Sequence, residues 1–173
     1  MTENVIGDHT KRSQDSYYVC DSSDLEKVKY SQFVKDICNA QDLDYCCCES
    51  DLSYEISTGG VNMYGSVFSV DIWPNTQYAL YSDSCSSSNH LFGCIGLRNK
   101  SYCIFNKQYT KEEYEELVPR IIEHMMQTGE YGEFFPSSLS PFGYNETVAT
   151  EYFPLSRKEV LGSSPLTKGD VTK

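Results

Sequence analysis

The stretch LEKVKYSQFVKDICNAQDLDYCCCESDLSYEISTGGVNMYGSVFSVDIWPNTQYALY, Leu25 to Tyr81, decides the fold of this chain. Leu25, Val34, Leu43, Leu52, Val61, Val70 and Ala79 follow one another at a constant interval of nine. A second column runs through Tyr45, Tyr54, Met63, Ile72 and Tyr81. Cysteines keep the same step, Cys38 to Cys47 and then Cys85, Cys94 and Cys103. A fixed short period marks stacked units that bury one continuous core. Within each unit the pattern reads as alternation: Leu43, Tyr45 and Cys47, then Leu52, Tyr54 and Ile56, then Val70 and Ile72. Period two predicts short strands with one buried face. Turn-forming residues separate them at Glu49-Ser50-Asp51, Thr58-Gly59-Gly60 and Pro74-Asn75-Thr76.

These observations predict a short β-solenoid with faces of about nine residues. Nine is odd, so each turn must reset the alternation, as a solenoid corner does. A coil of two such faces stacks Cys85 on Cys103 with Cys94 opposite. A coil of three puts the three cysteines on different faces. The columns lose register near Ser82-Asp83-Ser84, where an irregular turn or bulge is expected. The alternative is an antiparallel β-sandwich plus a helix, which also spaces strands by eight to twelve residues but requires no constant interval.

The pattern changes at Thr110. Thr110 and Glu113 form a capping box. Tyr114, Leu117, Val118, Ile121, Ile122 and Met125 then recur as a helical stripe, and Gly129 supplies the stop. Pro119 lies inside this helix and predicts a kink. An apolar stripe must cover something, and a solenoid edge needs cover, so the helix is expected to be a cap. Beyond it runs an aromatic and proline-rich segment expected to wrap the core, with a short helix near Glu146 to Tyr152. The expected organisation is a loose arm over 1–16, the solenoid over 17–109, the capping helix and wrapping segment over 110–161, and a disordered tail over 162–173.

Composition bounds the function. The 173 residues carry a formal net charge of −11 and eight cysteines. Such acidity argues against nucleic acid and anionic membranes as partners. No run approaches the length of a membrane span, and the N-terminus has no apolar signal region. A cytoplasmic protein with its cysteines as thiols is therefore expected.

Three stretches carry a resemblance: Phe92–Lys107 (FGCIGLRNKSYCIFNK), Gln108–Val118 (QYTKEEYEELV) and Gly132–Pro154 (GEFFPSSLSPFGYNETVATEYFP). With them, roughly residues 17–161 resemble a group of uncharacterised proteins from candidate-phyla bacterial metagenomes. Some of that group carry a CaiB/BaiF label. Its members often have zinc-ribbon cysteine pairs flanking the shared region. This chain has no CxxC, so the resemblance implies the shared core without those zinc parts. No pattern for a coenzyme A site accompanies it.

Four sets of residues are candidates for chemistry. Cys46 and Cys48 would share one strand face, with Cys47 on the other, and two thiolates there could contribute to a zinc site; buried cysteines acting as small apolar residues are the commoner case. Asp42 and Asp51 are nine apart and would stack on an outer face, as acid and base do in some solenoid enzymes that cleave polysaccharides, although aspartate also favours turns. Asp83, Ser88, His90 and Cys94 lie close in sequence, but triads are defined by geometry. Phe134, Phe135, Phe142 and Tyr144 would form a partner-binding surface if exposed. The expected function is a non-enzymatic structural or protein-interaction scaffold. A thiol-based zinc module and a solenoid carbohydrate-active enzyme are the alternatives.

Overall fold

A computed structural model describes residues 2–134, 143–147, 149–152, 154–156 and 158–160; the side chains of Cys47, Cys48, Ala149 and Tyr152 are not described. The tail from 161 onward lies outside the described residues. The first unit, Met1–Phe134, holds the solenoid and its helix; the second is Phe135–Lys173.

The solenoid has ten strands: β1 (Glu3–Asp8), β2 (Gln14–Cys20), β3 (Ser23–Gln32), β4 (Lys35–Asp51), β5 (Tyr54–Gly59), β6 (Val67–Ile72), β7 (Gln77–Leu80), β8 (Asn89–Phe92), β9 (Ser101–Ile104) and β10 (Lys107–Gln108). Each pairs with the next in chain order. All pairs are parallel except β9 with β10. Together they make about eight turns. Residues 3–8, expected in a loose arm, instead pair with β2.

The repeating unit is three residues, not two. Buried side chains recur as Leu25, Val28, Ser31, Val34, Ile37, Ala40, Leu43 and Cys46, every third residue. The residue before each is in the left-handed region, from Asp24 (φ 60°) through Tyr45 (φ 53°). Each side of the coil is thus a left-handed corner residue pointing out, an inward residue, and an extended residue pointing out. Four sides close a coil of twelve, as the pairings Ser23↔Lys35 and Asn89↔Ser101 show.

The nine-residue columns are therefore three of the four sides, a multiple of the true step. They fail where they should on that account: Leu52 is exposed and Tyr45 is 65% exposed beside fully buried Leu43. The irregularity also lies elsewhere than Ser82. The corner phase runs unbroken from Asn75 to Phe105, and it slips by one residue at 45–49, 58–62 and 71–75. Each slip falls on the same side of successive coils, so pairings there step by thirteen, as in Gln41↔Tyr54 and Tyr54↔Val67. The extra residues stack on one another: a Cβ on Gly60 would lie 2.8 Å from the Pro74 nitrogen.

Left-handed backbone is unfavourable for most L-residues, least so for Asn and Asp. Asp15, Asp21, Asp24, Asp36, Asn39 and Asn75 accordingly fill many corners. Aromatic corners offset the cost by stacking on the equivalent corner of the next coil. Tyr18 and Tyr30 lie 5.2 Å apart and nearly parallel, and in another column Tyr78, His90 and Tyr102 follow at 4.8 and 4.9 Å. Such ring pairs contribute about 0.5–1.5 kcal/mol each beyond area burial.

Inward serines, which composition alone assigns to the surface, are core residues. The Ser31 hydroxyl donates to the Lys29 carbonyl at 2.8 Å and accepts from the Leu43 amide at 3.1 Å. Ser82 repeats this with the Leu80 carbonyl and the Cys94 amide, at 3.0 and 3.3 Å. Each such serine satisfies a buried amide one coil away, as buried polar groups require. Ser50 and Ser66 are buried too, but among the described residues their hydroxyl oxygens have no hydrogen-bond partner. Ser82→Ala should therefore cost about 1–3 kcal/mol, because it orphans the Cys94 amide. Ser66→Ala should be neutral or stabilising. Paired urea denaturation curves check this; equal losses for the two variants would reject the relay role of Ser82.

At the C-terminal end, β10 folds back on β9. The Asn106 side chain accepts from the Ile95 amide at 2.8 Å and donates to its carbonyl at 3.0 Å. The helix α1 (Lys111–Thr128) follows, with the Thr110–Glu113 capping box and Gly129 as left-handed stop at φ 77°. It continues through Pro119. Tyr114 and Val118 are its buried residues, so the stripe does cover the solenoid, through Tyr114 set edge-on to His90 and Tyr102. Beyond the helix, Tyr131 packs edge-on to Phe68, and the Gly132 amide donates to the Tyr81 hydroxyl at 3.0 Å.

Candidate interaction surface

The period of three decides where each candidate side chain goes. Cys46 points inward and is fully buried, so it does not stand on an exposed thiol face; the Cys48 side chain lies outside the described residues. Cys85, Cys94 and Cys103 are also inward and buried. They occupy serine-type positions, with sulfurs 3.3, 3.5 and 3.6 Å from the Asp83, Phe92 and Ser101 carbonyls, each two residues back. Burial pushes all three thiols up. Since the thiolate is the nucleophile and the metal ligand, these sulfurs are disfavoured for both roles. Among the described residues, no group of three or more His, Cys, Asp or Glu side chains is placed to hold a metal. Native protein treated with iodoacetamide should label at exposed Cys20 and not at Cys85, Cys94 or Cys103. Peptide mass mapping reads this, and labelling of Cys94 in the native state would refute its sealed position.

Asp42 and Asp51 do not stack. Asp42 is a corner residue, whereas Asp51 lies beyond the slip at 45–49 and just before the corner at Leu52, so they stand on different sides of the coil. Asp51 is engaged by the Asn39 side chain at 2.9 Å, and Asp42 by Gln41 at 2.9 Å. The Asp83, Ser88, His90 and Cys94 set does not converge either. Ser88 and Cys94 point into the core, whereas His90 points out between Tyr78 and Tyr102. Burial in that stack pushes the imidazole below its usual value, which favours the neutral ring.

Of the C-terminal aromatics, Phe134 is 37% exposed and Tyr144 is half-buried. The Tyr144 hydroxyl accepts from the Leu155 amide at 2.8 Å, within the second unit. Phe135 and Phe142 lie outside the described residues.

A cluster of exposed aromatic side chains lies instead at the other end. Tyr18, Tyr30, Phe33 and Tyr45 are corner residues of the first coils, 60%, 54%, 51% and 65% exposed. Tyr30 and Phe33 are consecutive corners of one coil. Tyr18 stacks on Tyr30, and Phe33 meets Tyr45 at 6.2 Å, so the four rings edge one side of the solenoid. Between the two columns run Cys20, Gln32 and Asp44, in register. Sequence reading by nines missed this surface because it put Tyr45 in a buried column. Reading by threes finds it: Tyr18, Tyr30, Phe33 and Tyr45 all precede an inward residue. No protein-family model and no curated protein matches this chain.

Proposed function

We propose that this protein is a non-enzymatic interaction scaffold of the cytoplasm, a shared-core member of the candidate-phyla group it resembles. The observation that carries this is a contrast between the two halves of one solenoid. Toward the C-terminus several aromatic corners are covered, His90 and Tyr102 by Tyr114 and Phe68 by Tyr131, while Phe105 and Tyr78 stay exposed as single rings. Toward the N-terminus equivalent columns, Tyr18 with Tyr30 and Phe33 with Tyr45, stand more than half exposed. Exposed apolar surface of this kind marks an interaction site. Tyrosine-rich faces suit one, since rigid rings give large contact area at low entropic cost. The buried, inward thiols of Cys46, Cys85, Cys94 and Cys103 support a packing role more than a zinc module.

The test is capture of partners from host lysate by the intact protein and by a Tyr18→Asn, Tyr30→Asn, Phe33→Asn, Tyr45→Asn variant. Asparagine keeps the left-handed corner accessible, and circular dichroism verifies the fold. Loss of the captured proteins supports the scaffold. The same proteins retained by the variant would refute this face, and a companion variant at Phe134 and Phe135 then tests the C-terminal segment.

A further inference from the structure

We infer that the N-terminal aromatic face takes a cationic peptide segment, one that alternates Arg or Lys with apolar residues. This rests on the scaffold reading and names the chemistry of the partner. The shallow depression beside Tyr18 and Tyr30 is lined also by Gln32, Asp42, Leu43 and Asp44. Its lining holds two carboxylates and, among the described residues, no Lys or Arg. Asp44 is exposed and pairs in register with Gln32, directly between the ring columns. Asp42 occupies the corner that follows Tyr30 in the same column, one coil on. A third carboxylate, Asp21, lies at the corner below Phe33 and meets His9 at 3.1 Å.

Rings beside carboxylates favour a guanidinium or ammonium, which is attracted to both the ring and the charge. The side between the two ring columns is about as wide as one three-residue stretch, so an extended segment or one helix face fits it. A second copy of this chain does not: both copies would bring a net charge of −11. The same repulsion disfavours nucleic acid and anionic lipid.

The test is isothermal titration of the full chain with a short peptide alternating arginine and leucine, beside a counterpart with glutamate in place of arginine. Binding of the first peptide only is expected. It should weaken about tenfold in an Asp42→Asn, Asp44→Asn variant. A Glu112→Gln, Glu123→Gln variant removes as much charge from the exposed face of α1 and should change affinity less than about twofold. Equal weakening by both variants, or binding of the glutamate peptide, would overturn the inference. If neither peptide binds while the four-ring variant still loses its lysate partners, the cationic chemistry is wrong and the scaffold reading stands. If the lysate partners are also unaffected, the face itself is refuted and the inference falls with it.

Discussion

Ile37→Asp is expected to unfold the N-terminal coils while leaving those around Leu91 folded. Ile37 is fully buried on the axis of the coil, between Leu25 and neighbours such as Ala40. The inward positions from Val28 to Cys46 are aliphatic apart from Ser31 and Cys46, and none is a cation. A carboxylate there is uncompensated, and breaking the balance of a buried charge costs about 3–5 kcal/mol beyond the lost packing. Removing the isoleucine itself, as in Ile37→Ala, costs about 2–5 kcal/mol. Against a total stability of about 5–15 kcal/mol the combined loss is decisive. It need not be global. In a solenoid each coil touches only its neighbours, so stability is close to a sum of local terms. Amide exchange should show Leu25 through Leu43 exchanging rapidly in the aspartate variant, with Leu91 and Cys103 still protected. Uniform loss of protection would mean that the coils fold as one unit.

That locality also explains what was legible in the sequence. The solenoid could be read from Leu25, Val34 and Leu43, because these inward aliphatics recur at a multiple of the true step. The step itself was hidden by chemistry. Ser31 and Ser82 are core residues, yet serine normally reads as surface, so every inward serine removed a term from the hydrophobic pattern. The corner residues hid it a second way. Tyr45 and Leu52 are apolar and exposed, which mimics alternation when read beside Leu43. The thirteen-residue coils then displaced the columns at 45–49, 58–62 and 71–75. The helix, by contrast, was legible in full, since Thr110, Glu113 and Gly129 act through local backbone groups that no tertiary contact needs to supply. The candidate surface was illegible for the same reason as the step: a ring at a corner is recognised only once the corner is known.

The cover over the C-terminal columns yields the second large effect. Tyr114→Ala should detach α1 from the solenoid without melting the coils beneath. Tyr114 is 6% exposed and lies edge-on to His90 at 6.0 Å and to Tyr102 at 5.8 Å. Burial raises its hydroxyl well above the ordinary tyrosine range. Truncating a buried aromatic costs about 3–5 kcal/mol, and an isolated helix of 18 residues is marginal in water. The loss therefore falls on docking. The capping box and Gly129 act within α1 and cannot replace it. Tyr114→Phe keeps the ring and should lose no more than about 1 kcal/mol. Proteolysis distinguishes the outcomes: the alanine variant should be cut within 111–128 while the strands from β2 to β9 resist, and the phenylalanine variant should resemble the parent. Cutting throughout the solenoid would instead make the helix a requirement for folding. The first result has a consequence for function. Uncovered, Tyr78, His90 and Tyr102 would become a second exposed ring column of the same construction as Tyr18 and Tyr30. It would lack the Asp42 and Asp44 carboxylates, so the Tyr114→Ala variant should gain no affinity for the arginine–leucine peptide if those carboxylates, and not the rings alone, choose the partner.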